Sequence, residues 1–80
     1  MDRPHIVASL TAVFHDVFDD DGIVLSDRMT ADDVDGWDSL AHIRLIVSAE
    51  QVFGLRFTTA EVTELRNVGD FIDLIRRKLG

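Results

Sequence analysis

Ser39 is the residue of this chain with the most evident chemical potential. It lies in the segment Asp35–Leu40, just ahead of an apolar stretch, and His42 follows one helical turn later. A serine beside a histidine can act as a nucleophile, but that chemistry also needs a group that orients the histidine and an oxyanion site. Neither is recognisable, and the glycines that flank the serine of a nucleophile elbow are missing. We therefore expect a protein that is not an enzyme, in which Ser39 has another role.

The clustered aspartates are the second candidate for chemistry, because carboxylates bind calcium. With Gly22 at the sixth position of a calcium loop, the twelfth position, which should be a glutamate, is Arg28. The register set by the next aspartate–glycine run fails in the same way. His5 and His15 have no cysteine or paired ligand at a spacing typical of zinc. The sequence therefore predicts no metal site.

Helical periodicity runs through the chain and predicts an all-α fold, a small four-helix bundle with a long first loop and a short third helix. The predicted helices cover about residues 3–18, 38–53, 58–64 and 67–79, with no strand. The last three begin at side chains that can accept hydrogen bonds from backbone N–H groups, namely Asp38, Thr58 and Asn67. The predicted stripes of the first and last helices are Ile6, Leu10, Val13, Phe14 and Val17, and Val68, Phe71, Ile72, Ile75 and Leu79.

The second predicted helix has two apolar faces, although a small bundle needs only one for its core. The face expected in the core comprises Leu45, Ile46, Ala49, Val52 and Phe53. The other face, roughly 150° away at about 100° per residue, is the apolar stripe of Leu40, Ile43 and Val47. Either the long loop folds back over this stripe or a partner binds it. We favour a partner, which Arg44 would also contact.

Length and charge restrict the function classes further. With 80 residues and no cysteine, we expect one domain over residues 1–80, without disulfides and too small to enclose a large active site. Residues 1–38 carry ten aspartates against two arginines, a net charge of −8, which disfavours nucleic acid as a partner. No apolar run reaches the roughly 18 residues of a membrane span, and no secretory signal is recognisable. We therefore expect a soluble, cytoplasmic monomer that does not associate with membranes.

The segment Asp35–Leu40, followed by the two-faced helix through Gly54, resembles the phosphopantetheine-attachment region of acyl carrier and peptidyl carrier proteins. The resemblance covers nearly the whole chain, because these proteins are four-helix bundles with a long first loop and a short third helix. Their modified serine stands in an Asp-Ser-Leu motif that opens the second helix. The tripeptide alone is weak, but its position after a long acidic loop makes the combined signal specific.

The resemblance implies that Ser39, flanked by Asp38 and Leu40, carries a covalent 4'-phosphopantetheine derived from coenzyme A. It implies three kinds of partner: a phosphopantetheinyl transferase, an acyl- or aminoacyl-loading enzyme, and a downstream synthase or transferase. The early turns of the second helix lack the acidic side chains common in fatty-acid carriers, and hold Ala41, His42 and Arg44 instead. The chain looks more like freestanding carriers of polyketide, nonribosomal-peptide or unusual extender-unit pathways.

One alternative from another function class stays open at this point. An unmodified helical adaptor would also present an apolar stripe, and it would dock a partner permanently through Leu40, Ile43 and Val47. The two hypotheses differ in what happens to Ser39, because only a carrier gains the mass of one phosphopantetheine.

Overall fold

A computed structural model describes residues 2–80, in which four α-helices follow one another: α1 (Arg3–Phe18), α2 (Ser39–Phe53), α3 (Thr59–Thr63) and α4 (Val68–Leu79). The predicted all-α, four-helix architecture is confirmed, and the described residues form no strand. Predicted and observed boundaries differ by at most one residue. The long loop holds an element that was not predicted, a 3₁₀ turn at Ala31–Asp33. No helix among residues 2–80 is both long and apolar enough to cross a membrane.

Local capping explains where the later helices begin. Asp38, Thr58 and Asn67 each accept a hydrogen bond from the backbone N–H three residues later, at 2.8–3.1 Å. These bonds satisfy donors that have no acceptor within the helix. The α2 helix ends at Gly54, whose φ of +65° is a left-handed conformation that side chains with a Cβ rarely adopt. The starts of α2, α3 and α4 and the end of α2 are therefore set by interactions between residues close in sequence.

The core lies between α1, α2 and α4, where the predicted anchors Phe14, Leu45, Phe53 and Phe71 are all buried. Three predicted stripe residues are only partly buried against this core, namely Val17, Ile46 and Leu79. Three further residues are buried that the predicted stripes omitted, namely Ala41, Gly69 and Leu74.

The prediction for Val52 was wrong. A helical projection places Val52 between Ala41 and Leu45, on the face that packs in the core. In the structure its side chain is 55% exposed. Phe53 in the same last turn is only 8% exposed, so this turn packs on the side of Phe53, and Val52 lies about 100° away from it around the helix.

The long loop, residues 19–38, is bound to α4 by backbone hydrogen bonds. The N–H of Val68 donates to the carbonyl of Met29 at 2.8 Å, and the N–H of Gly69 donates to the carbonyl of Asp27 at 2.9 Å. Arg3 adds ion pairs from α1 to Asp27 at 2.6 Å and to Asp73 at 2.9 Å. The loop that leads to Ser39 is thus tied to two helices.

Candidate functional site

Ser39 is the first residue of α2 and its side chain is exposed. Asp38 precedes it as the N-cap, with extended backbone, and the Asp38 carboxylate accepts from the N–H of Ala41 at 2.8 Å. The first bond of the helical ladder runs from the N–H of His42 to the carbonyl of Asp38 at 2.9 Å. The hydroxyl therefore projects from a well-formed helix start, where a second protein can reach it.

The start of α2 is also suited to an anion. The N–H groups of Ser39 and Leu40 lie ahead of the first ladder bond and point away from the helix, as do the first N–H groups of any α-helix. Together with the helix dipole they favour negative charge at this end. A phosphodiester on the Ser39 hydroxyl would place its charge there, so the residues present fit a phosphate-linked group.

An aromatic cluster that was not predicted from the sequence supports the residues just before Ser39. The ring of Trp37 packs edge-on against Phe14, with centroids 5.4 Å apart, and lies 5.9 Å from Phe18. Its indole Nε1–H donates to Nδ1 of His42 at 3.3 Å. One feature of the sequence could have predicted the cluster. Trp37 is a large, mainly apolar side chain in an acidic loop, and it needs an apolar surface to pack on, which the buried face of α1 provides.

The apolar stripe beside Ser39 is open to solvent. Leu40 is 66% exposed, Ile43 59% and Val47 45%. The alternative in which the long loop covers the stripe was therefore wrong, since that loop docks on α4 instead. Arg44 is exposed on the same helix.

A shallow groove leads away from Ser39 along the start of α2. Its walls are Ala31, Trp37, Asp38, Ser39, His42 and Ile43. Behind Trp37 and His42 lies a cavity of about 90 Å³, bounded on the far side by the α3–α4 connection and by Phe71. The structure thus brings together three of the predicted residues, Asp38, Ser39 and Ile43, around one surface depression.

The histidine and aspartate side chains considered as metal ligands are spread over the fold or take part in local hydrogen bonds. Within residues 2–80 no group of three or more histidine or carboxylate side chains is arranged to hold a metal ion. His5 pairs with Asp2 at 2.6 Å, and Nε2 of His15 donates to the carbonyl of Ile23 at 2.8 Å. Asp33 accepts from the N–H of Thr30 in a capping box, so part of the loop's acidity serves local structure.

The fold and a family comparison together define the class of protein, one that carries phosphopantetheine. A family profile described as phosphopantetheine attachment site matches residues 8–75. Two relatives are named acyl carrier protein. That of Tropheryma whipplei (strain Twist) is 34% identical over 76 residues, covering 94% of this chain and 92% of its own. That of Acidothermus cellulolyticus is 34% identical over 79 residues, covering 94% and 89%.

The fold is shared as well. The solution NMR structure of a holo acyl carrier protein from Geobacter metallireducens matches with a TM-score of 0.86 and 48% sequence identity, over 91% of this chain and 84% of that one. The chain therefore belongs to the acyl carrier protein family. Its members carry acyl groups on a covalently attached 4'-phosphopantetheine arm, and they generally interact with a phosphopantetheinyl transferase and with acyl-handling enzymes.

Proposed function

We propose that the Ser39 hydroxyl is the attachment point of the 4'-phosphopantetheine arm. The observation that carries this proposal is the exposed Ser39 side chain at the first residue of α2, next to N–H groups that favour a phosphodiester. Ser26 is also exposed, but it lies in the long loop, away from any helix start. Position therefore distinguishes Ser39 from the other exposed serine in the described residues.

In the loading reaction this chain contributes the hydroxyl of Ser39 and no catalytic group. The oxygen of Ser39 forms a bond to phosphorus while the pyrophosphate linkage of coenzyme A breaks, the nucleotide leaves, and the hydroxyl proton passes to the transferase or to water. Asp38 stays bonded to the backbone of Ala41, and Nδ1 of His42 is engaged by Trp37. These bonds support a carrier that is not itself an enzyme. Once attached, the arm supplies the thiol that a chain without cysteine lacks.

We also propose that the apolar stripe of Leu40, Ile43 and Val47 is the docking surface for the transferase and for the acyl- or aminoacyl-loading enzymes. The three side chains are exposed, and they occupy the helix that presents Ser39. A few apolar anchors can supply much of the binding energy of an interface. Arg44 lies beside them and would select among partners by charge.

The pathway we propose is a specialised one, such as polyketide, nonribosomal-peptide or unusual extender-unit biosynthesis, in the cytoplasm where coenzyme A is available. The support is the low net charge of α2. Arg44 and Glu50 are the only residues of this helix that carry a formal charge, and their charges cancel. A helix so nearly neutral is a poor match for a strongly basic fatty-acid synthase surface. Arg44→Glu should therefore raise acceptance by fatty-acid synthase enzymes. Unchanged acceptance would argue against this basis for the pathway.

The attachment site is tested by co-expression with a broad-specificity phosphopantetheinyl transferase, followed by intact-protein mass spectrometry. The wild-type chain and Ser26→Ala should gain one phosphopantetheine, whereas Ser39→Ala should gain none and keep its helical circular dichroism. Loading of Ser39→Ala would show that another hydroxyl is the site. A wild-type chain that stays unloaded would favour the unmodified adaptor, which family membership disfavours.

A further inference from the structure

Two arginines without a carboxylate partner lie beside the apolar stripe of α2. Arg44 is exposed and lies on the same side of the helix as the stripe, about 40° from Leu40 around the helix axis. Arg56 is exposed and lies just beyond the end of α2. Among residues 2–80 neither arginine takes part in an ion pair, whereas Arg3 and Arg66 do.

The stripe continues past Val47 into a depression at the end of α2. The depression is lined by Val47, Glu50, Gln51, Gly54, Leu55 and Arg56. Because Val47 belongs to both the stripe and the depression, the two form one continuous surface. We call this surface the α2 face; it comprises the apolar stripe, Arg44 and the depression, and it begins at Leu40, next to Ser39.

The carboxylates at the two ends of the α2 face take part in local structure. Oε2 of Glu50 accepts from the N–H of Phe57 at 2.9 Å, and the Glu50 side chain is half-buried. At the other end, the Asp38 carboxylate accepts from the N–H of Ala41 at 2.8 Å. The guanidinium groups of the two arginines have no such partner within the described part of the chain.

The strong negative charge of the chain lies mainly before α2, since residues 1–38 carry ten aspartates against two arginines. Three of these carboxylates, those of Asp20, Asp33 and Asp35, line a separate depression that shares no residue with the α2 face. On the α2 face itself, two arginines stand against Glu50 alone. An acidic chain thus carries a locally positive surface on the helix that presents Ser39.

Exposed apolar side chains beside unpaired arginines are typical of protein interfaces, where arginine is enriched and supplies much of the binding energy. A guanidinium group binds a carboxylate through two parallel N–H···O bonds, and it is more weakly hydrated than an ammonium group. A partner that covers the stripe would leave Arg44 and Arg56 at the rim of the interface. Carboxylates of the partner would be attracted there, and cationic groups would be repelled.

We propose that the α2 face binds an acidic partner, namely a protein surface in which an apolar patch is flanked by carboxylates that pair with Arg44 and Arg56. The enzymes that act on the arm of Ser39 should present such a surface. This inference rests on the docking role proposed above for the apolar stripe, and it adds the chemistry of the partner. The α2 face should reject a basic docking surface, although the chain as a whole has a formal charge of −7.

Two synthetic amphipathic helical peptides test the sign of the partner's charge. Both carry the same leucine stripe at helical spacing, and the positions beside the stripe are glutamates in one peptide and lysines in the other. Binding to the unmodified chain is followed by ¹H–¹⁵N NMR at about 0.15 M salt, where exposed charges more than about 8 Å apart are largely screened. The glutamate peptide should shift the amide signals of the α2 face and bind there at least about tenfold more tightly than the lysine peptide. The lysine peptide should instead shift signals of the acidic long loop.

Substitution of the arginines tests whether they cause this preference. Arg44→Gln and Arg56→Gln should each weaken binding of the glutamate peptide about two- to fivefold, and together about four- to 25-fold, as expected of independent exposed ion pairs. The matched control is the double variant Arg76→Gln, Arg77→Gln. These two arginines are also exposed and form no ion pair within residues 2–80, but they lie on α4 and line another depression. The control should bind the glutamate peptide as tightly as wild type.

Three results would overturn the proposal: a lysine peptide that binds the α2 face as tightly as the glutamate peptide, no shift of the α2 face with either peptide up to millimolar concentration, or equal weakening in the α4 control. Failure of the attachment site is detected separately, by the loading assay above. If Ser39→Ala is loaded and the glutamate peptide still binds the α2 face, the attachment site is wrong but the acidic partner stands. If only Ser39 is loaded and the lysine peptide is preferred, only this inference fails.

Discussion

We expect the substitution Gly69→Ala to destabilise the fold, because Gly69 leaves no room for a side chain. Gly69 is in the first turn of α4 and packs against the long loop, and a Cβ at this position would lie 2.9 Å from the carbonyl oxygen of Asp27 and 3.2 Å from its Cα. These are backbone atoms, which cannot rotate away as the end of a side chain can. Gly69→Ala should therefore push the loop off α4.

The size of the effect follows from the bonds that the displaced loop would lose. The N–H groups of Val68 and Gly69 donate to loop carbonyls at 2.8 and 2.9 Å. Each such bond contributes about 0.5–1.5 kcal/mol, so their loss costs about 1–3 kcal/mol. The better helix propensity of alanine recovers up to about 1 kcal/mol. A net loss of about 1–2 kcal/mol should lower Tm by about 4–16 °C in a domain of this size, at about 4–8 °C per kcal/mol.

The assay is urea and thermal unfolding followed by circular dichroism, with Gly22→Ala as the matched control. Gly22 has an ordinary φ, and its added Cβ would meet only the flexible carboxylate of Asp20, at 3.1 Å. That variant should stay within about 0.5 kcal/mol of wild type. If Gly69→Ala is as stable as Gly22→Ala, the loop does not dock on α4 as described.

Three further predictions concern the core, the docking surface and pH. Phe14→Ala should lose roughly 2–5 kcal/mol in urea unfolding, because its ring is fully buried, and an unchanged midpoint would show that α1 does not pack as described. Val47→Asp should slow loading by the transferase at least about tenfold, equivalent to about 1.4 kcal/mol, with little change in Tm. Leu45→Asp, at a buried position of the same helix, should unfold the chain. A large drop in the Tm of Val47→Asp would show that the stripe belongs to the core. Hydrogen bonds from Thr58 and Lys78 lower the pKa of Glu61, and hydrogen bonds from Arg66 lower the pKa of Asp70. The stability that these two carboxylates contribute is therefore complete above their unfolded-state pKa values, and it is lost as the pH falls through the lower pKa values of the folded state. The drop in Tm below pH 4.5 should therefore be smaller in Glu61→Gln and Asp70→Asn than in wild type, and identical acid profiles would contradict these shifts.

Local chemistry in the sequence was sufficient to predict the helices and the position of Ser39. A cap such as Asp38 acts on an N–H only three residues away, and an apolar stripe such as that of α4 repeats within one helix. Neither depends on the rest of the fold. The same locality explains why the stripe of Leu40, Ile43 and Val47 is recognisable from the sequence alone, since it lies opposite the core face of the same helix.

Contacts between residues distant in sequence were decided by the tertiary structure. Periodicity gives the direction of Val52 but not how much of that face is packed in the last turn of α2, where Phe53 is buried and Val52 is exposed. The docking of Asp27 on Gly69 joins residues 42 positions apart, and no pattern within either segment encodes that pairing. Trp37 and His42 are only five residues apart, yet they meet because Phe14 and Phe18 of α1 hold the indole in place. The sequence thus determined that Ser39 opens α2, whereas the packing of α1 and the loop decided how its side chain is presented.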